Sequence, residues 1–307
     1  MSFRLFVYYC ALCGGWAALG GFLLGKFLAP GSPGDLGHNG IVGMFLGLTI
    51  AMGLSMVDAF WVLSWQFSGQ VLVRVLVSIL IGAVGGLLGG MIGHLLYFYT
   101  QWVALLIVGW TIMGVLCGVS VGSFDMLASL VRQKDQRGAR AKLLKCLLGG
   151  TLGGMVGALF LLFFRATLLG VFSKDEGALW SPRAMGFVAL GACIGLLVGL
   201  AQVILKEAWV KVEEGFRAGR EMILAKERTS VGRAEGTDIA LYGDGGVEKL
   251  HAHIVQADGR YFVEDNATPG GTFVNGQRIN GRTPLQTNDH IQMGKSALRF
   301  YERQRRK

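Results

Sequence analysis

The hydrophobic rhythm of the chain changes once. Up to about residue 205, apolar residues run almost unbroken in six stretches, 5–29, 40–64, 71–98, 102–126, 143–164 and 184–205. Each has roughly the 20 apolar residues that a helix needs to cross a bilayer. From Trp209 onward the apolar runs shorten and alternate with period two, as in "WVKVEEG", "REMILA", "TDIAL", "HAHIVQ", "GRYFVED", "GTFVNG", "DHIQMG" and "ALRFYE". Turn-forming clusters such as "GDGG", "ADG", "NATPGG" and "NGQRING" separate them. Short alternating runs with closely spaced turns predict an all-β sandwich. The expected architecture is an α-helical multi-pass membrane bundle over 1–205, a β-sandwich over 208–303 and a basic tail at 304–307.

Charge sharpens this boundary. Residues 1–205 hold 12 Lys/Arg and 6 Asp/Glu, whereas residues 206–307 hold 17 and 14, an ordinary density for a water-soluble domain. The first stretch, "FRLFVYYCALCGGWAALGGFLLG", is long for a secretory signal, lacks an A-x-A site and precedes further spans, so it reads as a retained helix. With the N-terminus inside, the inner segments carry Arg4, Arg74, Arg132, Lys134, Arg137, Arg140, Lys142 and Lys145. The outer side carries only Lys26, Arg165, Lys174 and Arg183. This asymmetry predicts that both termini lie in the cytoplasm, in a plasma or inner membrane. The basic segment 132–145 is expected to set this topology and to face anionic lipid or an acidic partner. The net charge of +9 does not point to nucleic acid, because the polar third contributes only 17 against 14.

Five cysteines all fall in the apolar block, and Cys10 and Cys13 form a CxxC with no second pair or histidine partner. They read as buried small hydrophobes; no metal or cofactor is expected.

The apolar block repeats itself. "GLTIAMGLSMVD" (47–58), "GVLCGVSVGSFD" (114–125) and "GACIGLLVGLAQ" (191–202) align without gaps and place small residues at Gly47/Ala51/Ser55, Gly114/Gly118/Gly122 and Gly191/Gly195/Gly199. A second motif follows the first two, "GGLLGGMIGHLL" (85–96) and "GGTLGGMVGALF" (149–160), with a weaker copy, "LGGFLLGKFL" (19–28), in the first stretch. The unit is a helix pair used about three times. Small residues at every fourth position form a flat stripe along which helix backbones approach closely, either within the chain or in a homo- or hetero-oligomer. Asp58 and Asp125 hold equivalent repeat positions, where the third repeat has Gln202. They are expected near the inner helix ends, in interfacial or bundle contacts; an ion or proton role is the alternative. His94 is expected to be a packed histidine near an outer helix end.

Within the polar third, "SVGR" (230–233), "TDIAL" (237–241), "EKLHAHI" (248–254), "DNATPGGTFVNG" (265–276) and "LQTNDHIQMG" (285–294) occur in order. At this spacing they resemble the five motifs of the forkhead-associated (FHA) domain. The resemblance implies phosphothreonine recognition by loops at one end of the sandwich. Arg233, Lys249, Thr268 and Asn275 stand at the family's phosphopeptide-contacting positions, and Gly232, His251 and Gly271 at its structural ones. Glu248 replaces a serine that would donate a hydrogen bond to phosphate, and Gly270 replaces an asparagine that helps to hold the peptide backbone. With His251 structural, Ser230, His251 and Asp265 form no catalytic triad, and no enzymatic activity is expected. The sequence thus predicts a membrane recruitment scaffold for a protein partner, one that can carry phosphothreonine. A channel, transporter or membrane-complex subunit acting through the FHA-like domain is the alternative.

Overall fold

A computed structural model describes residues 3–32, 35–63, 69–131, 137–167, 181–204, 208–216, 218–224, 228–257 and 260–303. The chain divides into two compact units between Ile204 and Leu205. The second unit is a sandwich of eleven strands among the described residues, from β1 (Ala208–Glu214) to β11 (Ser296–Glu302). Between them lie β2 (Glu221–Ile223), β3 (Arg228–Gly232), β4 (Ile239–Ala240), β5 (Ala252–Ala257), β6 (Arg260–Asp265), β7 (Thr272–Val274), β8 (Gln277–Arg278), β9 (Thr283–Pro284) and β10 (His290–Met293). One sheet has the order β2-β1-β11-β10-β7-β8 and the other β4-β3-β5-β6-β9. Alternation does what the sequence predicts. In β1, Val210 and Val212 are buried while Lys211 and Glu213 are not, and in β10 (His290–Met293) Ile291 and Met293 point inward. The core of this unit, including Val231, Ile254, Val263, Leu298 and Phe300, draws only on residues from 208 to 300, so the sandwich closes its own core. The basic tail at 304–307 lies outside the described residues.

The first unit consists of α1 (Phe3–Leu28), α2 (Leu36–Leu63), α3 (Gly69–Thr100), α4 (Leu106–Val131), α5 (Arg137–Thr167) and α6 (Pro182–Ile204). All six are long and apolar enough to cross a membrane. Proline is confined to their edges: Pro30 follows α1, and Pro182 opens α6 where its missing N–H costs nothing. Consecutive helices pack from α2 to α6, and α2, α4 and α6 also touch one another.

The glycines set how closely the helices approach. A methyl group on Gly14, Gly82 or Gly150 would overlap the carbonyl oxygen of Gly191, Gly47 or Gly114 respectively. One on Gly21, Gly89 or Gly157 would press on Leu46, Met113 or Leu190. The stripes are therefore used within the chain: Gly118 faces the Cys146 carbonyl, Gly122 faces Leu143, and Gly195 and Gly199 face Cys10. Ala51 packs on Gly82, and Ser55 is fully buried. These equivalences correct the outer-helix register. Gly82 corresponds to Gly150, a separation of 68 residues, whereas the motif alignment of 85–96 with 149–160 implies 64. The difference is about one helical turn, and a stripe of period four looks the same after such a shift.

The corrected register explains a charge cluster. Asp58 near the end of α2, Arg74 near the start of α3, Asp125 near the end of α4 and Lys142 near the start of α5 form a closed ionic quartet. Asp58 Oδ2 accepts from Arg74 Nη1 at 2.7 Å and from Lys142 Nζ at 2.7 Å. Asp125 accepts from Lys142 Nζ at 2.8 Å and from Arg74 Nη2. Arg74 and Lys142 are 68 residues apart and Asp58 and Asp125 are 67 apart, so one acid–base pair is repeated. At the third equivalent position stand Phe6 and Gln202. Asp58 is 2% and Arg74 4% exposed, and the Arg74 guanidinium lies over the Phe124 ring. Lys142, which the charge count treats as part of a lipid-facing segment, is turned into the bundle; residues 132–136 of that segment lie outside the described ones. His94 is half-buried, with Nδ1 3.3 Å from the Asn39 amide nitrogen.

Removing one member of a buried pair strands the other, at about 3–5 kcal/mol. Asp58→Leu alone should therefore lower the thermal unfolding midpoint of the detergent-solubilised chain strongly. Asp58→Leu with Lys142→Met leaves a balanced Arg74–Asp125 pair and should recover most of the loss. Circular dichroism melts of the two variants check this; equal losses would show that the charges are not balanced as a set.

Candidate functional site

One end of the sandwich is built from three connections: 233–238 between β3 (Arg228–Gly232) and β4 (Ile239–Ala240), 241–251 between β4 and β5 (Ala252–Ala257), and 266–271 between β6 (Arg260–Asp265) and β7 (Thr272–Val274). His251 is fully buried and joins the second connection to the third. Its Nδ1 accepts the Glu248 N–H at 3.0 Å, so the ring proton sits on Nε2. That nitrogen faces the Gly271 carbonyl and the Thr268 hydroxyl, each at 3.1 Å. Gly271 has φ +67, and a side chain there would strike the Arg278 guanidinium.

Two carboxylates, the buried Asp244 and the half-buried Asp265, brace this end. Asp265 accepts from the Thr268 N–H at 2.9 Å, the Thr268 hydroxyl at 2.9 Å and the Thr272 hydroxyl at 2.7 Å. Asp244 accepts from the Gly246 N–H at 3.0 Å and from the Lys295 N–H and the Ser296 hydroxyl, both at 2.8 Å. Burial alone would raise both carboxyl pKa values. The hydrogen bonds outweigh it, and both groups lie below the usual aspartate value.

The first and second connections are laced by backbone. The Arg233 N–H donates to the Glu248 carbonyl at 3.0 Å and the Ala234 N–H to the Lys249 carbonyl at 3.1 Å. Gly232 makes this possible, because any Cβ there would overlap the Lys249 carbonyl oxygen. Arg233, Glu248 and Lys249 are thereby held side by side, all three exposed. Among the described residues their side chains make no ion pair.

Comparison with known proteins bears directly on this end of the sandwich. The FHA domain model matches residues 229–294. An oxoglutarate dehydrogenase inhibitor of Corynebacterium diphtheriae is 35% identical over 139 residues, which span 45% of this chain and 85% of that protein. The chain belongs to the FHA-domain family. Among solved structures, an FHA domain with phosphothreonine-dependent interactions is 22% identical, with a TM-score of 0.30, covering 32% of this chain and 99% of that one. The FHA domain of the CT664 protein from Chlamydia trachomatis is 24% identical, with a TM-score of 0.30, covering 32% and 100%. The FHA domain is a phosphopeptide-binding interaction module.

The domain brings some of the sequence-derived candidates together and commits others to structure. Arg233 and Lys249 stand on adjoining connections, exposed. Thr268 is 5% exposed, and its one hydroxyl proton goes to Asp265. Asn275, at φ +51, ties the turn after β7 to β10: its amide donates to Asp289 Oδ1 at 2.8 Å and its oxygen accepts the His290 N–H at 2.9 Å. Gly270 lies against the Gly246 carbonyl, where a Cβ would sit 3.1 Å away, so the departure from asparagine lets the second and third connections close together. The sequence names Asp265 only as part of a dismissed triad and leaves Asp244 unremarked. Their signals were an aspartate three and seven residues before threonines, and an aspartate inside "GDGG".

Because both folded-state values are depressed, the stability these carboxylates contribute is fully present above about pH 4, the unfolded aspartate value, and is lost as pH falls through the folded values. Urea unfolding of residues 205–307 should be nearly constant from pH 7 to 5 and weaken below pH ~4. Asp265→Ala, which leaves buried donors unmet, should cost about 1–3 kcal/mol at pH 7 and flatten that acid limb.

Proposed function

We propose that this protein is an integral-membrane recruitment scaffold whose FHA domain captures a threonine-phosphorylated protein on the cytoplasmic side, binding it without catalysis. The observation that carries the reading is the exposed pair Arg233 and Lys249, held on adjoining connections by the Arg233–Glu248 and Ala234–Lys249 backbone bonds. Both point charges are available to a phosphate of about −1.5 to −2. Thr268 and Asn275 support the loops, so the anion contact rests on these two cations.

Membrane insertion is supported by the outward faces of the helices. In α3, Leu72, Leu76, Leu80, Val84 and Leu88 recur every four residues with exposures of 42–67%. Such a continuous apolar face needs lipid around it. The excess of Lys and Arg in the inner segments supports cytoplasmic termini.

Transport is the competing reading, since ionisable groups within spans are functional candidates by default. The quartet speaks for structure instead, because two cations already neutralise two acids and leave no net charge to attract an ion. Leu46, Met113, Leu190, Ile50, Cys117, Ile194, Leu54, Val121 and Val198, at equivalent repeat positions on α2, α4 and α6, are each at most 2% exposed within one core.

Two measurements test the proposal. Residues 205–307 should bind members of a degenerate phosphothreonine peptide library and not their unphosphorylated counterparts, and Arg233→Ala should weaken binding at least ~10-fold, since charge-assisted contacts are the strong ones. Phosphate-dependent binding of normal strength by the Arg233→Ala variant would remove the site assignment. In proteoliposomes, Asp58→Asn and Asp125→Asn should leave ion and proton flux at the level of protein-free vesicles, as in the unsubstituted chain. Flux that the unsubstituted chain supports and the variants lose would favour transport.

A further inference from the structure

The exposed charges on the three connections of the FHA domain are Arg233, Glu235, Glu248 and Lys249. Asp244 is buried, and Asp238 accepts from Ser230 at 2.8 and 2.9 Å. The third connection, "NATPGG", carries no charge. The three connections themselves therefore present two exposed cations and two exposed acids, and the exposed Arg278 lies beside the third, its guanidinium toward the Thr268 and Pro269 carbonyls.

Glu248 is the acid with least freedom to leave. Its N–H is held by His251 Nδ1 at 3.0 Å, and its carbonyl oxygen is held by the Arg233 N–H at 3.0 Å. Its backbone is thus pinned on both sides, next in chain to Lys249 and directly paired with Arg233. Adjacent Cα atoms lie about 3.8 Å apart, so the Glu248 carboxylate is carried by the residue next to Lys249, at a spacing short beside the ~8–10 Å screening distance. Among the described residues, no hydrogen bond or ion pair engages that carboxylate.

A lone phosphate presented to this rim meets attraction from two groups and repulsion from at least one. A phosphothreonine flanked by a basic side chain gains an attraction that a lone phosphate lacks, because the second charge of the ligand pairs with Glu248. From this the geometry points to a partner of defined chemistry: a phosphothreonine segment with a Lys or Arg within a few residues of the phosphate, selected by Glu248. This rests on the phosphothreonine reading of the site and deepens it. The serine-to-glutamate departure is then a specificity determinant, one that admits dipolar segments and rejects acidic ones.

The test uses three sets of phosphothreonine peptides, with Arg, Ala or Asp placed in turn at each of the three positions on either side of the phosphothreonine. Each set is titrated by fluorescence anisotropy against residues 205–307, unsubstituted and as Glu248→Gln. Glu248 supplies no cationic contact, so the variant keeps Arg233 and Lys249. The expected result is at least one position where Arg binds about 5-fold more tightly than Ala, equivalent to about 1 kcal/mol, and Asp more weakly. In Glu248→Gln that spread should shrink to within about twofold, with Asp peptides gaining most. Equal affinity of all three sets for the unsubstituted domain, with dependence on phosphate intact, overturns this inference and leaves the phosphothreonine reading standing. A preference for Arg that persists in Glu248→Gln also overturns it. No difference between phosphorylated and unphosphorylated peptides in any set overturns both.

Discussion

Both units of this chain are governed by one constraint: a charge taken out of water must be paired where it is buried. In the helical unit the constraint gives a quartet in which Asp58 and Asp125 each accept from Arg74 and from Lys142. In the sandwich it gives Asp244 and Asp265, each ringed by hydroxyl and backbone donors, and His251 with one nitrogen accepting and the other donating. What each unit has left for other molecules is the remainder. For the FHA domain that remainder is small, because Thr268 and Asn275 are already spent on the loops. Arg233, Lys249, Glu235 and Glu248 are the exposed charges left on its three connections, and recognition has to be built from a balance of charges.

Much of the fold was legible because its signals are local. Runs of apolar residues longer than a bilayer is thick announce α1–α6, and period-two alternation announces strands such as β1 and β10. Five ordered motifs placed the loops of the FHA domain. The sequence was less informative wherever the answer depends on which atoms meet. A stripe with a small residue at every fourth position reads equally well four residues along, so the alignment of 85–96 with 149–160 is a turn away from the register that packing selects. Arg74 and Lys142 looked like topology charges, because nothing in their neighbourhood shows that two aspartates converge on them. Position in a motif likewise does not say where a proton goes. Thr268 sits where the resemblance implies a phosphate contact, yet its hydroxyl proton is held by an aspartate three residues earlier.

The same ambiguity explains why the bundle keeps charges inside it. Buried ion pairs are weak contributors to net stability and are often replaceable by apolar residues; Phe6 and Gln202, at the third equivalent position, show that this site works without an acid–base pair. Glycine stripes alone permit α3 to slide past α2, or α5 past α4, by one turn at little cost in packing, since small residues recur at that spacing. Such a slide moves a side chain by about 6 Å along the axis. Arg74 and Lys142 would then leave both aspartates unpaired in an apolar surround, and the slipped arrangement would carry the full penalty of stranded charge. The quartet thus acts less as glue than as a register mark, the best-attested use of buried polar groups. It ties α2, α3, α4 and α5 to one another through side chains near their ends. Between α6 and α1 the close approach is made by Gly14 against Gly191 and by Gly195 and Gly199 against Cys10, and with Phe6 and Gln202 in place of an acid–base pair that approach is kept without charge.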